Sequence, residues 1–163
     1  MPLFWDRWRV AAPWAPRLAL DELLRATAPQ TELVLDLKGR NPALGHLVAH
    51  AIAPQLPGQR FIVCARYASQ LEPFSEMPVR RFESVGSPRQ LRRLLSRGTS
   101  AHGVSIHARL LDDGVVQQLR RLTEVIVTWP VNRVEDAAAL AALGVDGLIS
   151  DAPNLLLAEG ARS

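Results

Sequence analysis

Glu32-Leu33-Val34-Leu35-Asp36-Leu37-Lys38-Gly39 is the stretch that decides how this chain folds and where its site lies. Leu33, Leu35 and Leu37 alternate with Val34, Asp36 and Lys38, so an extended strand carries the leucines on one face. The opposite face ends in an acid and an amine. Such a strand buries its leucine side and opens the other onto a site. Lys38 is the sole lysine among 19 basic residues, the rest being arginines. In that company a lysine at a strand end marks a place where a planar guanidinium does not serve. A compact ammonium beside a carboxylate suits an anion or a metal-bound phosphate. The competing reading of the pair is a buried ion pair plugging the interior of a barrel.

Downstream, one theme repeats: a short apolar run, a turn, then a helical stretch. The predicted strands are 33–37, 60–65, 79–84, 103–107, 124–128 and 147–150. Between them, Leu44, Leu47, Val48, Ala51 and Ile52 recur at helical spacing, as do Leu91, Leu94 and Leu95, then Leu111, Val115, Leu119 and Leu122. Val134, Ala137, Ala138 and Ala141 predict a further helix, and Leu20, Leu23, Leu24 and Ala28 one before the first strand. A short helix over 68–76 is interrupted by Pro73. Ser87-Pro88-Arg89-Gln90 reads as a helix start with proline in the first turn, and Asn132-Arg-Val-Glu135 as another with Asn132 as cap. Gly144 stands where a helix ends in a left-handed residue. Six βα units in succession predict a parallel sheet covered by helices, either a doubly wound sheet or part of a (β/α)8 barrel. No glycine-rich phosphate loop follows any strand, which counts against a nucleotide-binding sheet.

At 163 residues the chain suits one globular domain. The expected division is a Trp/Arg-rich segment over 1–17, read as a loop packing over the domain, and a barrel-like domain over 18–163. With 48% apolar and 21% charged residues it has the material for a core. A net charge of +3 with pI near 10 resembles a nucleic-acid binder's, but the arginines are scattered and no nucleic-acid motif is present, so no nucleic acid is expected. One cysteine, Cys64, lies in an apolar run and excludes an internal disulfide framework. No run of apolar residues is long enough to span a membrane, and the first residues lack an apolar signal centre; the expected location is cytoplasmic.

Candidate chemistry is sparse. His46 and His50 stand one helical turn apart without the glutamate of the HExxH pattern, and read as a solvated face. His102 reads as loop. His107 closes a strand on the face of Ser105 and is the better candidate, against the reading of a structural histidine, since the sequence shows no partner for it. Trp129 ends another strand as a large aromatic at the same mouth. Asp151 reads as a helix cap rather than a ligand.

Taken in order, Leu33-Val-Leu-Asp-Leu-Lys-Gly39, Ser84-Val-Gly-Ser87, Thr128-Trp-Pro-Val-Asn132 and Leu143-Gly-Val-Asp-Gly-Leu-Ile-Ser-Asp151 resemble the glycerophosphodiester phosphodiesterase family. The resemblance spans roughly residues 18 to 153. It implies a TIM-type barrel, incomplete here, with six of the eight βα units. The implied reaction is hydrolysis of glycerophosphodiesters to an alcohol and glycerol phosphate, in phospholipid metabolism. The family uses a divalent cation, calcium or magnesium, and two histidines as acid and base. By resemblance Asp36 falls on a metal-binding position, and Lys38 and Trp129 on positions that contact substrate. The family has glutamate where this chain has Asp36, which reaches one methylene less far. Its His-Arg-Gly motif, its Glu-x-Asp pair and its second histidine have no counterpart here, so no catalytic residue is assigned. The expectation is a chain shortened at its N-terminus, weakly active or inactive. The alternatives are a non-catalytic relative that binds glycerophosphates, or a half-barrel completed by a partner chain, including a homo-oligomer that covers open sheet edges.

Overall fold

A computed structural model describes residues 4–5, 8–9, 19–28 and 30–152. Two short strands, β1 (Phe4–Trp5) and β2 (Trp8–Arg9), pair antiparallel and precede α1 (Leu20–Ala26). The rest of the expected Trp/Arg-rich loop lies outside the described residues, as does the helix that Asp151 was expected to cap. From Glu32 onward strand and helix alternate. The order is β3 (Glu32–Leu37), α2 (Ala43–Ile52), β4 (Arg60–Ala65), α3 (Ala68–Leu71), β5 (Arg80–Val85), α4 (Pro88–Arg97), β6 (Gly103–His107), α5 (Asp113–Arg120), β7 (Val125–Trp129), α6 (Val134–Ala142) and β8 (Gly147–Leu148).

The six strands from β3 to β8 pair in sequence order and all in parallel. They curl into a half-barrel with the helices outside, an incomplete TIM-type wall. No pairing joins β3 to β8 among the described residues. β8 is shorter than predicted because the chain leaves the ladder after Leu148. It still runs beside β7, with the Ile149 N–H bonded to the Thr128 carbonyl and the Val131 N–H to the Ile149 carbonyl.

Alternation sorts every strand into an outer and an inner face. Outward, Leu37, Phe61, Val63 and Ala65 pack with Ile52, Leu71 and Phe74. A second outer cluster joins Val85, Val104, Ile106 and Ile126 to Leu91, Leu94, Val116 and Leu119 on α4 and α5. Phe61, Val63, Ile106 and Ile126 are at most 2% exposed, and each contributes about 1.5–3 kcal/mol on the transfer scale. Inward, Ile62, Cys64 and Phe82 pack with Val125 and Val127. Val34, on the same inner face, is 51% exposed, because no described strand lies beyond β3.

The helix caps are partly as the sequence predicts. Ser87 accepts the Gln90 N–H at the start of α4, and the Gln90 side chain reaches back to the Gly86 N–H at 2.8 Å. Gly144 follows α6 at φ +84°, a left-handed residue as expected. Asn132 is a correction. The cap of α6 is Arg133, without a capping side chain. The Asn132 Oδ1 instead accepts from the Asp151 N–H at 2.9 Å and the Ser150 hydroxyl at 3.1 Å. A tertiary demand overrides the local one, and Glu135 and Asp136 remain in the first turn to meet the helix dipole.

At the opposite end of the wall, Asp146 holds three elements together. Its Oδ2 accepts from the Ile126 N–H at 2.7 Å and from Arg120 at 2.8 Å, and Arg120 also donates to the Glu124 carbonyl. Burial works to raise the Asp146 pKa, but the bonds from Arg120 and Ile126 outweigh it and hold the carboxyl below its usual range. The Gly-Val-Asp-Gly turn is therefore a structural clamp.

Candidate functional site

The carboxyl ends of the strands in an α/β wall are where sites form, because loops and helix starts converge there. Here that rim is built in register. Asp36 lies beside Cys64, Ser84 beside Ser105, Ser105 beside Val127 and His107 beside Trp129. Lys38 and Arg66 each come one residue past the paired Leu37 and Ala65.

On β3 the Lys38 ammonium donates to the Asp36 Oδ2 at 2.6 Å. The Lys38 side chain is 75% exposed and that of Asp36 42%, so the pair is no plug in the barrel floor. Their position on the inner face shows in the neighbouring thiol. Burial pushes Cys64 up to about 12, the Asp36 charge adds to the rise, and Lys38 and a hydrogen bond with Ser105 oppose it. Cys64 is thus a buried, protonated thiol in the inner layer, inert as a nucleophile, as its apolar run predicts.

A second group forms on β6 and β7. The His107 and Trp129 rings are 4.9 Å apart at 58°. The His107 Nδ1 accepts the Arg109 N–H at 3.2 Å, so the proton of the neutral ring is assigned to Nε2. Arg109 in turn donates to the Gly86 carbonyl at 3.2 Å. Gly86 is where the Trp129 ring comes to rest: a Cβ built there meets a ring carbon at 3.3 Å. The strand-end histidine, which the sequence leaves without a visible partner, is therefore tied to Trp129, and through Arg109 to the β5 end. Arg109 escaped the sequence reading. Nothing in its local pattern sets it apart from the other scattered arginines.

The remaining candidates fall away from this rim. His46 and His50 are exposed on α2, as expected. His102 precedes β6 and accepts the Arg81 N–H at its Nδ1, 3.1 Å away. An open cavity of about 290 Å³, lined by Thr99, Ser100, His102 and Thr123, lies at the amino-terminal end of β6, away from the strand-end rim.

The rim does not fit a divalent cation. Calcium takes six to eight oxygens and magnesium six, yet no group of three or more His, Cys, Asp or Glu converges among the described residues. Asp36 already holds Lys38. Glu83 faces outward, bonded to Arg97 and Thr99. Asp112 caps α5. What the β3 end offers chemically is an exposed ammonium able to meet an anion, while Trp129 and His107 stand at the ends of β7 and β6, across the same wall.

No family model matches the sequence, and no curated protein matches it. Solved structures do. A structure from Silicibacter pomeroyi, assigned as a glycerophosphoryl diester phosphodiesterase, aligns at TM-score 0.69 and 19% identity over 86% of this chain and 56% of its own. A glycerophosphodiester phosphodiesterase from Thermotoga maritima aligns at 0.66 and 16% identity, over 86% of this chain and 62% of its own. A phosphodiesterase from Oleispira antarctica, in complex with the product sn-glycerol-3-phosphate, aligns at 0.62 and 18% identity, over 81% and 56%. At these identities the likeness establishes the fold. The chain spans between 56 and 62% of the length of these three structures.

Proposed function

We propose that this chain is a protein of the glycerophosphodiester phosphodiesterase type, and that it holds a glycerol phosphate ester at the strand-end rim of its half-barrel. Lys38 engages the phosphate, and Trp129, backed by His107, walls the glycerol side. The observation that carries this reading is the placement of an exposed ammonium at the carboxyl end of β3, on the inner face of such a wall. The sn-glycerol-3-phosphate held by the Oleispira antarctica structure supplies the ligand class. Among the described residues the inner strand-end face offers His107 as its one imidazole, with its ring against Trp129 and its Nδ1 taken by the Arg109 N–H. The family's metal-assisted hydrolysis, with calcium or magnesium, finds no group of three or more His, Cys, Asp or Glu among the described residues, and Asp36 is bonded to Lys38. The chain's part is therefore binding, and under calcium or magnesium it turns over no glycerophosphodiester.

Calorimetry with sn-glycerol 3-phosphate tests the reading. Wild-type protein gives saturable heat, and Lys38→Ala weakens binding by about tenfold or more, the loss of one charge-assisted hydrogen bond to phosphate. A wild-type protein without saturable heat, or an undiminished Lys38→Ala, removes it.

Among the described residues no strand pairs with the outer borders of β3 and β8, which favours a second reading, in which strands from another chain complete the wall. It expects a mass above the monomer's in sedimentation at micromolar concentration, and a monomer there dismisses it.

A further inference from the structure

We infer that the rim takes its phosphate ligand without a divalent cation, with Asp36 serving as a resident counterion that the ligand displaces from Lys38. This rests on the binding reading above and adds to it the identity of the charge partner. Three observations lead to it. One of the two Asp36 oxygens, Oδ2, is bonded to the Lys38 ammonium at 2.6 Å, so the carboxylate is already neutralised by a cation of the chain itself. No further carboxylate or histidine gathers around it among the described residues. The neighbouring strand end is basic: Arg66 comes one residue past the Ala65 that pairs with Leu37.

The physical comparison favours the anion. A divalent ion arriving at Asp36 either displaces Lys38 or binds the other carboxylate oxygen beside that positive charge, with one protein carboxylate for a ligand. A phosphate monoester arrives as a near-dianion and meets an ammonium whose present partner is a single charge. Both side chains reach water, so breaking their bond is cheap. Lys38 has a flexible stem and three donors, and turning from carboxylate to phosphate needs no movement of the strand.

The inference reverses the expected sign of one substitution. If Asp36 is a metal ligand, Asp36→Asn weakens binding. If it is a counterion, removing its charge frees Lys38, and Asp36→Asn tightens sn-glycerol 3-phosphate binding by about threefold. The experiment is calorimetry on the full chain, wild type and Asp36→Asn, in EDTA, in calcium and in magnesium, with each metal also titrated alone. Wild-type affinity equal in EDTA and in either metal, no heat from metal alone, and tighter binding by Asp36→Asn support the inference. Binding that requires calcium or magnesium, or metal uptake lost in Asp36→Asn, overturns it and leaves the binding function standing. No binding by either protein under any condition overturns both.

Discussion

Phe82→Ala lowers the stability of this fold by about 3–5 kcal/mol, the cost of emptying a buried aromatic site. The reason lies in how the inner face is filled. Phe82 is 1% exposed and packs with Ile62 and Cys64, with Val125 and Val127 against them. Its ring lies flat over Gly103, where an added Cβ would stand 2.6 Å from a ring carbon. Gly103 is thus glycine to let the ring cross β6, and with alanine at 82 neither residue fills the space. The outer clusters are supported by helices on their far side; the inner layer depends on this ring to span β4, β5 and β6. Urea unfolding followed by circular dichroism measures the effect as a lowered midpoint at unchanged slope. A loss below about 1 kcal/mol would mean that the inner face is not packed this way.

Gly45→Ala is the second large effect, a net loss of about 2–3 kcal/mol from overpacking, although alanine is the better helix former by about 1 kcal/mol. A Cβ at Gly45 falls 2.4 Å from the Gln70 carbonyl oxygen and 3.1 Å from its carbon. Those are backbone atoms. Gln70 is fully buried, its N–H is bonded to the Tyr67 carbonyl, and its side-chain amide donates to the Asn41 carbonyl at 3.0 Å. Neither partner can step aside, so α2 and α3 must separate and open the cluster around Ile52, Leu71 and Phe74. Gly58→Ala is the matched control, with nothing within 4 Å of the added methyl; it changes stability by no more than about 0.5 kcal/mol. Unfolded side by side, the two variants separate a contact effect from a generic glycine effect. Equal midpoints would contradict the close approach of the helices.

What was legible from the residues, and what was not, follows the range of each interaction. β4 was readable to the residue because burial on both faces of a parallel sheet writes a continuous apolar run, and β6 because its apolar Val104 and Ile106 alternate with small or polar residues. The Asp36–Lys38 pair was readable because two positions on one strand share a face whatever the fold. The His107–Trp129 contact was not, since it depends on the register between strands that a whole βα unit separates. Asn132 misled for a related cause. Its spacing to Glu135 is a valid capping signal, but the loop after β8 recruits its oxygen first, and no local pattern announces that competition. The clamp around Asp146 was hidden in the same way. Arg120 meets it only once α5, β7 and β8 are assembled.

The border strand has one more consequence. Among the described residues nothing pairs with β3 on the side away from β4, and such a border is the ordinary template for runaway sheet growth. Its inward positions, however, include Glu32, Asp36 and, at its tip, Lys38. A stranger's apolar strand docking there would have to bury those charges. The acid and amine at the strand end thereby act as gatekeepers against fibrillar stacking, and a variant that neutralised both would lose solubility.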